Sequence, residues 1–167
     1  MRYADGPTAE VQTRVDADPA TVWTWVGDIR TPCRFSEELR DVRWLDEHRF
    51  VGHSSHPAIG DWETTCTVVA REPGRELAWV VGDPDHPSAS WRFTLQPDGD
   101  GTVLRQWMRM GPAPSGLTIA IAARPDKEEK MVARRLDEHR ANMQRTVDGI
   151  RQLAESGQQP TGDAPTG

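Results

Sequence analysis

The residues that could do chemistry are few, and each matters because of the pattern around it. His139 stands three residues after Leu136 and four before Met143, on the apolar stripe of a C-terminal helical pattern. An imidazole there would serve as a general acid or base, since it titrates near neutral pH, or as a hydrogen-bonded histidine of the core. Gln106 alternates with Leu104, Met108 and Met110, so its amide shares the apolar face of a strand. Glu38 and Glu63 could each face the mouth of a pocket, although a surface carboxylate is the commoner role. His53, Ser54, Ser55 and His56 form a further group. Alternation sends the two histidines to opposite faces, and no third ligand follows at a metal-binding spacing. Cys33 and Cys66 show no Cys-x-x-Cys or Cys/His spacing and read as free thiols. No nucleophile elbow or phosphate loop occurs, so the sequence predicts neither a metal nor a cofactor.

These residues need elements to position them. Residues 9–15 alternate apolar and polar, as a half-buried strand does. Asp18 and Pro19 suit the N-cap and first position of a helix carrying Val22, Trp25, Val26 and Ile29, which Pro32 ends. A short helical turn is expected over residues 35–39. Strand patterns follow at 41–45, 49–54, 62–70, 76–81, 90–95 and 102–110, separated by turn residues such as Pro73-Gly74 and Asp98-Gly99. Acidic residues after Pro125 open an amphipathic helix with Val132, Leu136, Met143, Val147 and Ile150 on one stripe, ending near Gly157. Strands together, flanked by helices, predict an α+β fold with an antiparallel sheet of six to seven strands. The long helix must bury its stripe, and the concave face of that sheet is the available partner.

Face assignment then yields a candidate pocket. If Trp62 faces inward, so do Thr64, Cys66 and Val68. Trp91 and Phe93 share a face on a later strand, as Met108 and Met110 do on the last. The wall so predicted is apolar and aromatic with isolated polar groups, the usual character of a small-molecule site. The same pattern also fits a core packed solid.

Composition narrows the class further. The chain has 167 residues, enough for one domain with a sizeable core. Its formal net charge of −6 argues against a nucleic-acid partner. The longest apolar stretch, Leu117–Ala123, is too short to span a membrane, and residues 1–7 lack the apolar segment of a secretory signal. A cytoplasmic monomer or homodimer is the resulting expectation, with residues 1–8 a flexible N-terminus, 9–156 the extent of the ligand-binding domain by pattern and 157–167 a disordered tail. Seven Trp against three Phe and one Tyr supply large apolar walls with a single donor each.

The opening Val15-Asp16-Ala17-Asp18-Pro19-Ala20-Thr21-Val22-Trp23, the stretch Asp28-Ile29 to Phe35-Ser36-Glu37, and the ending Arg140-Ala141-Asn142-Met143-Gln144-Arg145 resemble the START-like (SRPBCC) superfamily of polyketide cyclases, aromatases and lipid-transfer proteins. The last stretch is similar to the C-terminal helix of the tetracenomycin-type aromatase/cyclases. The resemblance implies that residues 9–156 are a START-like domain, with a helix-grip (START/Bet v 1-like) fold that holds an apolar, aromatic or polyketide-like molecule. Activity as a cyclase, aromatase or dehydratase is the alternative it implies. It also marks departures. The inward Ser and Arg of the cyclases fall on Cys66 and Val68, and a cavity Tyr falls near Glu38. The inward Trp matches at Trp91, and a cavity Gln falls on Met108, one step along the face from Gln106.

Overall fold

The computed structural model describes residues 1–160, and all of the strands join one antiparallel sheet. The chain runs β1 (Thr8–Val15), α1 (Pro19–Val26), a 3-10 turn (Thr31–Arg34), β2 (Leu39–Trp44), β3 (Arg49–His56), β4 (Gly60–Glu72), β5 (Glu76–Asp83), β6 (His86–Asp98), β7 (Gly101–Met110), α2 (Gly116–Ala123) and α3 (Glu128–Glu155). Strands β2 to β7 form a continuous meander, and β1 pairs with β7 to give the order β1-β7-β6-β5-β4-β3-β2. The sheet curls around α3.

Local chemistry sets the elements. Asp18 caps α1 by accepting the Thr21 backbone N–H at 2.8 Å, and Pro19 occupies the first turn. Val22, Trp25 and Val26 point from α1 into a core shared with Val15, Leu95, Leu104, Val147 and Ile150. A second cluster joins Tyr3, Met108, Met110, Val132, Leu136 and Met143. The register slips between Val68 and Ala70, which leaves Val69 as an exposed bulge on β4.

Helix α3 lies chiefly along β1, and α1 packs beside its C-terminal half. On its other flank the chain between the 3-10 turn and β2 closes in. Gly149 makes this possible: it is buried, and a methyl group at its position would overlap the Phe35 ring.

Three expectations need correction, and one helix goes beyond them. Residues 1–8 are tied down, because the Tyr3 side chain is buried and its hydroxyl donates to the Ala113 carbonyl at 2.7 Å. The helical turn falls at Thr31–Arg34, ahead of the expected 35–39, since Pro32 suits the first turn of a helix better than its interior. Helix α1 stops at Val26, before Ile29, with Gly27 as its C-cap. The apolar run at 117–123 forms α2, which has no buried residue and exposes Ile119 to 74%. The expected tail lies outside the described residues from 161 onward.

The grip on α3 is testable at two points. Leu136→Asp places an unpaired charge in the second cluster and should destabilise the protein by more than about 3 kcal/mol in chemical denaturation. Gly149→Ala should destabilise by about 1–3 kcal/mol through overpacking against Phe35, although alanine is intrinsically the better helix former by about 1 kcal/mol. A Gly149→Ala protein as stable as the parent would remove Phe35 from that contact.

Candidate ligand-binding site

The register assigns every strand residue to a face. Cys66 pairs with Phe50 and Val81, Val68 with Trp79, and Trp79 with Trp91. Trp91 in turn pairs with Met108, and Phe93 with Gln106. All of these residues point toward the concave side. They differ in what covers them. Phe93, Met108, Met110 and Cys66 are sealed, the first three in the apolar packing beneath α3. Trp62, Thr64, Val68, Trp79, Val81 and Trp91 face the same side but keep accessible surface. The sheet therefore has a filled half under α3 and a part-open half toward β4 and β5.

A chain of rings runs through the part-open half. Trp44 meets Phe50 edge-on at 5.7 Å between centroids, and Phe50 meets Trp79 at 6.1 Å. Trp79 lies nearly parallel to Trp91 at 6.3 Å. Trp91 ends the chain by meeting the His139 ring at 5.4 Å and 80°. The sequence placed Trp91 and His139 on inward faces; the structure brings them into contact.

His139 makes no hydrogen bond to the described residues. Burial pulls its pKa down to about 3, helped by the nearby Arg135 charge. Its imidazole is thus neutral at physiological pH, and the residue as a whole is half-buried. Gln106 is 4% exposed and its Oε1 has no hydrogen-bond partner, one of two such buried side-chain atoms among the described residues; the other is Trp25 Nε1. A buried acceptor left unpaired is costly, so Gln106 is an unmet demand for a donor.

Glu38 occupies a different setting from the one expected. Its carboxylate accepts two N–H groups of Arg135 at 3.0 and 2.8 Å and the Asn142 amide at 2.9 Å. Arg135 also reaches Glu138 at 2.8 Å, and His56 Nε2 lies 3.5 Å from the same carboxylate. Burial alone would raise the Glu138 carboxyl, but Arg135 outweighs it and holds the pKa below the usual carboxylate range. Arg135 and Asn142 were not singled out from sequence. A helix position flanking the stripe gives no sign of a partner about a hundred residues away.

Other candidates separate. His53 lies on the outer face, 3.9 Å from Glu63, while His56 points inward. Burial raises both cysteine thiols to about 11, which leaves them protonated and poorly nucleophilic. Among the described residues no three His, Cys, Asp or Glu side chains gather as a metal site would require, and no helix is long and apolar enough to cross a membrane.

Comparison with known proteins agrees with this geometry. Residues 7–155 match the family described as polyketide cyclase/dehydrase and lipid transport. The chain belongs to that family. No curated protein sequence matches it. Among solved structures it is similar to a polyketide-cyclase-like protein of Corynebacterium glutamicum, with TM-score 0.62 and 23% identity over 89% of this chain and 91% of that one. It is also similar to the Zhui aromatase/cyclase of a Streptomyces species, with TM-score 0.63 and 17% identity over 89% and 93% of the two chains. A START superfamily protein of Mycobacterium smegmatis gives TM-score 0.58 and 15% identity over 87% and 98%. At these identities the likeness establishes the helix-grip fold. Membership of the polyketide cyclase/dehydrase family supports a cyclase-like ligand-binding role.

The His139 environment fixes a pH dependence. Unfolded, the imidazole titrates near 6.5; folded, it does so at about 3. Between these values the unfolded chain binds more protons, so stability falls as pH drops below about 6.5. The loss from this group is at most about 1.4 kcal/mol per pH unit. Above pH 6.5 it contributes no slope. Unfolding measured from pH 7 to 4.5 should show this slope in the parent and a shallower one in His139→Gln.

Proposed function

We propose that this chain binds an apolar, aromatic or polyketide-like small molecule between the part-open half of the sheet and α3. The observation that carries the reading is the run of inward-facing rings ending at His139, with accessible surface at Trp79 and Trp91. In this reading Trp62, Thr64, Val68 and Trp91 face the ligand. Cys66, Phe93, Met108 and Met110 form the packed floor behind them. Planar ligands gain from such a wall because offset and edge-on ring contacts contribute about 0.5–1.5 kcal/mol each beyond area burial. The neutral His139 ring then supplies orientation.

Cyclase, aromatase or dehydratase activity is the second reading, and the family name favours it. The three candidate residues are less suited to proton transfer than to binding. An efficient acid or base has a pKa near the working pH, and His139 lies far below it. Gln106 does not titrate. Glu38 is engaged by Arg135 and Asn142. The reading that fits best is a binding protein with the cyclase architecture. Catalysis, if present, would come from holding a reactive chain folded rather than from a titrating side chain.

The neutral dye N-phenyl-1-naphthylamine should bind at one per chain and quench tryptophan fluorescence. Trp91→Ala should weaken that binding by about tenfold, the loss of one aromatic contact of about 1.5 kcal/mol. Unchanged affinity in a folded Trp91→Ala protein would overturn the placement of the site.

A further inference from the structure

The polar end of the ring chain holds more than a binding protein for purely apolar molecules requires. The Arg135 side chain is only 15% exposed, and its guanidinium is engaged in a two-pronged contact with the Glu38 carboxylate. Asn142 adds a third donor to the same carboxylate. Three donors converging on one carboxylate make an anion site, and here the occupant is the chain's own side chain. We propose that the ligand carries an acidic group, a carboxylate or its like, which replaces Glu38 on Arg135 and Asn142 while its aromatic body lies along Trp79 and Trp91. The proposal rests on the binding reading above and names the ligand class that the reading leaves open.

The placement supports this. Arg135 precedes His139 by four residues, about 6 Å of helical rise, and His139 touches Trp91. One small molecule can therefore span both the aromatic wall and the guanidinium. The exchange also conserves charge. Arg135 retains Glu138, which Arg134 approaches at 3.3 Å, so an incoming carboxylate substitutes one for one for Glu38. Finally, Glu38 stands where the chain can release it. It precedes β2, whose register slips between Leu39 and Asp41. The turn that carries it is organised independently by Ser36 Oγ, which accepts the Glu38 and Leu39 backbone N–H groups at 3.1 Å each. Swinging the Glu38 side chain outward breaks none of these backbone contacts. The contact of Phe35 with Gly149 keeps the segment docked without the ion pair, and buried ion pairs contribute little net stability compared with apolar packing.

The test compares two dyes with one aromatic skeleton: 8-anilinonaphthalene-1-sulfonate, which is anionic, and N-phenyl-1-naphthylamine, which lacks the sulfonate. The readout is the ratio of their affinities. Glu38→Gln removes the internal competitor and should raise the ratio in favour of the anion by about tenfold or more, with the neutral dye little changed. The double variant Glu38→Gln/Arg135→Gln, which leaves neither member of the pair as an unpaired charge, should abolish that gain. An unchanged ratio in Glu38→Gln overturns the proposal. So does a gain that persists in the double variant, since Arg135 would then not be what holds the anion, and so does an equal gain in Glu10→Gln, which changes the net charge identically at an exposed position of β1. If the parent and variants bind neither dye while remaining folded, the binding reading itself fails. Binding of the neutral dye with an unchanged ratio sinks only the acidic-ligand assignment.

Discussion

A single helix cannot cover a seven-stranded sheet, and much of this structure follows from that mismatch. Six interstrand spacings of about 4.8 Å make the sheet about 29 Å wide, whereas a helix with its side chains is about 10 Å across. Helix α3 must bury its stripe, so it settles along β1 and the strands beside it. The rest of the concave face has to be covered by other means. Curling the sheet brings the β2 edge around toward the other flank of α3, and α1 fills the end near Val147 and Ile150. Between these supports the inward faces of β4 and β5 are left short of partners, which is why residues such as Trp62, Val68, Trp79 and Val81 keep accessible surface.

The same constraint explains the two characters of α3. Its stripe is apolar where it meets β1 and β7. Its flank toward β2 is polar, with Arg135, Glu138 and Asn142 reaching across to Glu38 and His56. Apolar packing demands close approach, which Phe35 achieves on Gly149. Long charged side chains bridge a wider gap. They do so reversibly, since an ion pair can exchange partners where a packed ring cannot. The flank is thus joined by polar contacts and the stripe by packing.

The sequence revealed what depends on periodicity. Alternation around Cys66 and Phe93 assigned the strand faces, and the spacing of Leu136, His139 and Met143 put the imidazole on the inward stripe. What depends on long-range pairing stayed hidden. Nothing near Arg135 announces Glu38, because ion pairs across a fold leave no local pattern. Helix α2 was missed since a run as short as Leu117–Ala123 cannot be told from a loop or strand by periodicity. Tyr3 was passed over because its anchor, the Ala113 carbonyl, lies far along the chain. Facing inward also proved a weaker property than lining a cavity. Met108 and Met110 share a face with Gln106, yet α3 and Tyr3 seal them.

The departures from the cyclase pattern gain a physical meaning in this light. The middle-strand positions that would carry an inward Ser and Arg hold Cys66 and Val68 here, so the concave face of β4 is apolar at both. A guanidinium is nevertheless present near the aromatic wall, delivered from α3 by Arg135. Moving the cation from sheet to helix changes what it can do. On a central strand it would be fixed by the hydrogen-bond ladder on both sides and aimed at the middle of a ligand. On the flank of α3 it is balanced by two carboxylates, Glu38 and Glu138. It is poorly suited to polarising a carbonyl deep in the cavity, because its charge is already shared with two anions. The chain therefore keeps the helix-grip fold of its family while carrying this guanidinium on α3 and not on β4.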